Sequence, residues 1–150
     1  MTIVYTGKTH ITGGRDGGAR SDDGALDVRF SPIGSHGSGT NPEQLLGAGW
    51  SACFLSAIGI AARERQAAFP AREAAIDAEI ELVQGGDGFS LRARLSVSLP
   101  GVPREVGLAL IERAHQTCPY SKALGRSIPV ETILISVSYT HLTLLTIYSV

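Results

Sequence analysis

The chain has 150 residues, 43% hydrophobic and 18% charged, with a formal net charge of −1. That length suggests one domain able to bury a core without staples, and that composition is globular rather than disordered. The near-neutral balance, with no Lys/Arg cluster, leaves no footprint for nucleic acid, and two cysteines are too few for a disulfide scaffold.

In chain order, Ile3-Val4-Tyr5 reads as a first strand, and Ala25–Phe30 alternates with period two. Between them TGGRDGGARSDDG reads as a loop or a tight hairpin end, and SPIGSHGSGT (31–40) as a second loop. A helix then starts sharply, with Asn41 as N-cap, Pro42 as first helical residue and Gln44 at the capping-box position. The run LLGAGWSACFLSAIGIAARER is small and apolar on nearly every face until Arg63, Glu64 and Arg65, which predicts a helix buried all round. Its apolar stretch around 52–62 is short of a membrane span, and residues 1–18 show no basic segment followed by an apolar one. No membrane association is expected. A cytoplasmic location with free or transiently oxidised thiols is.

Residues 71–99 carry the clearest strand signal. Ile76, Ala78, Ile80 and Leu82 share one face, and Asp77, Glu79 and Glu81 the other. QGGDG makes the turn, and Phe89 to Leu99 alternates with Ser90, Arg92, Arg94, Ser96 and Ser98, which predicts a long hairpin with one wet face. Pro100 and Pro103 break the strand. Pro103 opens a second helix, with Val106, Leu110, Ile111 and Ala114 at helical spacing, stopping near Cys118-Pro119. Ile128–Val137 reads as a final strand. This order is an α+β pattern in a single domain over 1–136. The tail 137–150, VSYTHLTLLTIYSV, fits poorly. It reads as translated read-through or as an extra edge strand, and is set aside from fold reasoning.

Cys53 lies in GWSACFL, on the glycine- and alanine-rich helix, and the other cysteine is Cys118, beside a proline. A free cysteine is usually a buried, inert small hydrophobe. A reactive one needs an electropositive, partly accessible setting, and the small residues around Cys53 leave room for a ligand or another backbone. Both readings stay open on composition alone. Arg15, in GGRDG, is either a solvated loop arginine or a guanidinium that holds a thiolate ionised. Glu43 either complements the helix dipole or orients Arg15 through a two-pronged salt bridge. Ten residues of helix separate Glu43 from Cys53, a rise of about 15 Å, so the two side chains do not meet along one straight helix. His115 makes H-x-x-C with Cys118, but no second ligand pair accompanies it, so no metal is expected. The hydroxyls of Tyr120 and Ser121 read as structural. No phosphate-binding glycine motif follows a strand.

Taken in order, TGGRDG, SDDGALDVRFS, GTNPEQLLGAGWSACFLSAI, VSLPGV and AHQTCPYSKA resemble the organic hydroperoxide resistance proteins of the Ohr/OsmC family, over about residues 3–136. GTNPEQL with the ACF cysteine and CPYS is similar to the Ohr branch, while SKAL is nearer the OsmC branch. The resemblance implies an intertwined α+β homodimer, with antiparallel sheets wrapped around long buried central helices and with sites at the subunit interface. It implies a thiol peroxidase in which Cys53 matches the peroxidatic cysteine and Cys118 the resolving one. Arg15 and Glu43 match the arginine and glutamate that activate the thiol. It implies no bound cofactor, an organic hydroperoxide as substrate, and a lipoylated protein as dithiol reductant. The apolar residues Leu46, Trp50 and Phe54 are the expected substrate contacts. Two rivals are a redox-sensing or ligand-binding protein without efficient turnover, and a structural dimer with inert core cysteines. Thiol titration separates the latter, because inert cysteines react only after unfolding.

Overall fold

The structure is a computed structural model that describes residues 1–138 and 141–149, with side chains described through residue 135. The chain divides into two units, Met1–Leu45 and Leu46–Val150.

In the first unit, strands β1 (Thr9–Thr12), β2 (Gly18–Ser21) and β3 (Asp27–Arg29) form an antiparallel sheet in that order. A single 3-10 turn, Gly14–Asp16, joins β1 to β2. It is tight enough that a Cβ at Gly17 would collide with the Thr12 carbonyl, and Gly13 takes the left-handed conformation at φ 71°. Three expectations are corrected here. Ile3-Val4-Tyr5 is exposed and joins no strand, because β-branched residues form a strand only where a partner pairs with them. The glycine-rich segment read as loop contains β2, whose only buried residue is Ala19, too little to show as alternation. The strand expected over Ala25–Phe30 shortens to β3, and Phe30 then bridges Thr40.

Helix α1 runs Pro42–Glu64. The Gln44 N–H donates to Asn41 Oδ1 at 2.9 Å, the expected cap. The capping box is only half made: Gln44 Oε1 accepts from the Thr40 hydroxyl at 2.8 Å instead of reaching back to the cap. By length and composition α1 is apolar enough to cross a membrane, but its buried stripe of Trp50, Phe54, Ala57, Ile58, Ala61 and Ala62 makes it a core helix. It is not buried all round within one chain, since Ala48, Ala52, Ser56 and Ile60 are exposed.

In the second unit, β4 (Ala75–Gly85), β5 (Gly88–Ser98), β6 (Val130–Ser138) and β7 (His141–Ser149) form one sheet in the order β4-β5-β6-β7. β4 and β5 are the expected hairpin, in antiparallel register from Ala75↔Ser98 to Gly85↔Gly88. Ala93, Leu95, Val97 and Leu99 enter the core, whereas Leu82 and Phe89 near the tip stay exposed. On the wet face Arg92 pairs with Glu81 at 2.9 Å, and Arg94 with Glu131 at 3.0 Å and Glu79 at 3.4 Å. Helix α2 (Arg104–Thr117), with Pro103 just before its first turn, and helix α3 (Pro119–Leu124) carry the chain across to β6. β6 runs parallel to β5, a pairing that needs a crossover connection of this kind. α3 was not expected from the sequence, which reads only a stop at Cys118-Pro119. Of the tail, His141–Ser149 is the outer strand, antiparallel to β6; residues 139, 140 and 150 lie outside the described residues.

Candidate functional site

Pro119 shapes the corner where Cys118 sits. A proline disfavours helical backbone in the residue before it, so Cys118 is extended at φ −64°, ψ 122°, and α2 ends there. Pro119 has no N–H to lose and opens α3, the first position of a helix being where proline is tolerated. The corner is held on both sides: Cys118 N–H donates to Ala114 O at 2.8 Å, and Lys122 N–H to Cys118 O at 2.9 Å. Cys118 is fully buried and points at α1, where Cys53 lies at the edge of the core stripe, half-buried. The two sulfurs are 3.3 Å apart, and both are free thiols. A disulfide needs about 2.05 Å, so closing the bond asks for about 1.2 Å of approach and no refolding. Burial pushes the Cys118 thiol up, and hydrogen bonding from the backbone and side chain of Ser121 works against that.

Around the sulfur pair the core is polar in one place. Trp50 Nε1–H donates to Ser121 Oγ at 3.0 Å. The same oxygen lies 3.2 Å from His115 Nδ1, and His115 Nε2 lies 2.8 Å from Thr132 Oγ1. Trp50, Ser121 and Thr132 are buried, and the Phe54 ring lies 4.4 Å from the His115 ring. Burial pushes the His115 imidazole down to about 4, so it is neutral at physiological pH.

The second charged feature lies in the first unit. Arg15 meets Glu43 fork to fork, Nη1 to Oε2 at 2.9 Å and Nη2 to Oε1 at 2.7 Å. The tight turn after β1 presents Arg15, and the first turn of α1 presents Glu43. The hydrogen bonds raise the arginine and hold the Glu43 carboxyl below its ordinary range. The two-pronged bridge expected of this pair is thus present. Arg15 and Glu43 belong to the first unit, the sulfurs to the second.

Of the three apolar contacts expected for a substrate, Trp50 and Phe54 have no exposed surface and face the core, while Leu46 is half-buried. Their place in the core follows from helical phase, which a run apolar on every face conceals. The sequence reading gave the Tyr120 hydroxyl only a structural role. Its hydroxyl lies over α1 at Gly49, one turn before Cys53, where an added Cβ would stand 2.8 Å from it. His115, weighed as half of a metal site, is instead part of the buried network. No metal-ligating cluster occurs among the described residues.

A family model described as OsmC-like protein matches residues 35–133. The organic hydroperoxide resistance protein of Xanthomonas axonopodis pv. citri is 38% identical over 136 residues, 88% of this chain and 95% of that one. The organic hydroperoxide resistance protein OhrB of Bacillus subtilis is 35% identical over 133 residues, 85% of this chain and 96% of that one. The crystal structure of that Bacillus protein superposes with a TM-score of 0.82 at 34% identity, covering 88% of this chain and 99% of that one. An organic hydroperoxide resistance protein from Elizabethkingia anophelis, with thiocyanate bound, superposes at 0.81 with 36% identity over 89% of this chain and 98% of that one.

Proposed function

This chain belongs to the OsmC-like family, among the organic hydroperoxide resistance proteins, and from that premise we propose that it is a thiol peroxidase reducing alkyl or fatty-acid hydroperoxides to alcohols. The observation that carries the reading is the sulfur pair: two thiols from distant segments meet at 3.3 Å, one of them half-buried and one sealed. Inert core cysteines have no need to face each other.

In this reading the Cys53 thiolate attacks the distal oxygen of the hydroperoxide. The O–O bond breaks, two electrons pass from sulfur to the peroxide, and the alkoxide takes a proton to leave as alcohol. Arg15, oriented by Glu43, is the family's activating pair, favouring the thiolate and the developing negative charge. Cys53 becomes a sulfenic acid. Cys118 then attacks its sulfur, the S–O bond breaks, and hydroxide leaves with the thiol proton as water. A dithiol such as a dihydrolipoyl group on a partner protein reduces the disulfide by exchange. The working form is a cytoplasmic homodimer, with no bound cofactor or metal.

The test is turnover of cumene hydroperoxide against hydrogen peroxide with dihydrolipoamide as reductant. The organic peroxide is expected to turn over faster, and Cys53→Ser to abolish the reaction. Cys118→Ser is expected to permit one oxidation and block recycling. Full turnover by Cys53→Ser sinks the mechanism. Peroxide-driven oxidation of the wild type without dithiol turnover favours a redox sensor instead.

A further inference from the structure

Two side-chain ties join α1 to the α2–α3 corner. The first is the sulfur pair, Cys53 to Cys118 at 3.3 Å. The second is the hydrogen bond from Trp50 Nε1–H to Ser121 Oγ at 3.0 Å. Trp50 lies three residues before Cys53, and Ser121 three residues after Cys118, so the ties are about one helical turn apart at both ends. An indole N–H only donates, so the direction of the second tie is fixed whatever else Ser121 Oγ bonds to. Trp50 and Ser121 are both buried, so bulk water does not compete for the bond. Beside Trp50, the missing side chain of Gly49 leaves the space that the Tyr120 hydroxyl takes up, which lets the corner lie close on the helix. The two ties differ in strength. A thiol is a weak donor and a weak acceptor, whereas indole to hydroxyl is an ordinary hydrogen bond. On the sulfur contact alone the corner is free to pivot, and a second tie one turn away removes that freedom.

We propose that Trp50 and Ser121 are positioning residues for the Cys53–Cys118 disulfide: their hydrogen bond holds the α2–α3 corner on α1 and keeps Cys118 Sγ within reach of Cys53. The proposal rests on the peroxidase reading above, in which the Cys118 sulfur attacks the Cys53 sulfenic sulfur. There the S–O bond breaks, the S–S bond forms, and hydroxide leaves with the Cys118 proton as water. The sulfurs must close from 3.3 Å to about 2.05 Å. Holding two reacting groups in place raises their effective concentration, and a misplacement of about 1 Å costs up to about a hundredfold. Without the Trp50–Ser121 bond, both redox forms lose the same interaction. Only the reduced form then gains freedom at the corner, because in the oxidised form the disulfide still ties it. The reduced form is thereby favoured, and the disulfide becomes easier to reduce.

The test is the reduction potential of the disulfide. The full chain is equilibrated in lipoamide–dihydrolipoamide buffers, and its free thiols are counted by alkylation and mass. No peroxide takes part: lipoamide accepts the two electrons and two protons that the protein dithiol gives up. Trp50→Phe keeps a packed ring and removes the N–H, and Ser121→Ala removes the acceptor. Each is expected to lower the equilibrium constant for disulfide closure roughly three- to tenfold, the scale of one buried hydrogen bond. That is a rise in potential of about 15–30 mV. Because both substitutions act through one bond, the double variant should shift by clearly less than the sum of the two singles. A double shift equal to that sum overturns the positioning role. So do equal potentials in wild type and both single variants, even where melting points fall, because a loss shared by both redox forms is packing alone. A wild type that forms no Cys53–Cys118 disulfide in these buffers overturns the peroxidase reading as well. A wild type that turns over cumene hydroperoxide while its variants keep its potential overturns the positioning role only.

Discussion

Burial holds His115 neutral in the folded protein down to about 4, while its ordinary value is 6.5. Between those values the unfolded chain binds a proton that the folded chain refuses. Stability therefore falls as pH drops through that window, with a slope of at most about 1.4 kcal/mol per unit. The Glu43 and Glu64 carboxyls, held down by hydrogen bonds from Arg15 and Arg113, contribute stability that is present above their ordinary range and lost as pH falls through it, chiefly below the histidine window. Urea unfolding at pH 7 and pH 4.5 should show wild type losing more stability than His115→Asn, which has no such proton to take up. An equal loss in both proteins contradicts this assignment. At the residue scale, residue type alone left Cys53, Cys118, Arg15 and Glu43 open between bland and reactive roles, and it was the ordered resemblance to a family that singled them out. The fork between the last two is what an arginine and a carboxylate do when close. The roles of Trp50 and Phe54 did not follow. On a helix with apolar residues on every face, composition gives no rotational phase, so the pair that fills the core looks the same as a pair that lines a pocket.

Helix starts were legible because their chemistry is local. Asn41 caps α1 through the Gln44 N–H, but the Gln44 side chain turns to Thr40. The two residues should therefore cost differently. Asn41→Ala should lose about 1 kcal/mol, seen as roughly 2–4 °C in the melting midpoint, whereas Gln44→Ala should fall within about 0.5 kcal/mol of wild type. Equal losses would mean that the box closes in solution. The long β4–β5 hairpin was legible for a similar reason, since alternation over eleven-residue strands states which face is wet. α3 and β2 were not legible. α3 spans only six residues after a proline, and β2 exposes most of its four, so neither builds a period. Parallel pairing of β6 needs the crossover before it and leaves no mark in β6 itself.

For the whole molecule, the unspent feature is apolar surface. α1 was expected to be buried on every face, yet within one chain it covers only the stripe from Gly47 to Ala62. Ile60, on its open side, is 45% exposed, and Phe89 near the hairpin tip 69%. A helix whose sequence is apolar all round but whose own fold covers one side has a second face to bury. The family resemblance implies a homodimer with central helices, and the exposed side of α1 is the face such a partner would cover. Sedimentation should then give the mass of two chains. Ile60→Glu places a charge where the partner helix would exclude water, and the group gains no compensating bond there. It should weaken dimerisation at least tenfold, since even about 1.4 kcal/mol suffices for that and burying an unpaired charge costs more. Because Ile60 lies outside the buried core cluster, the far-ultraviolet spectrum of the variant should match wild type. An unaltered dimer in that variant would remove α1 from the interface. A wild type that sediments as one chain at micromolar concentration would remove the dimer itself.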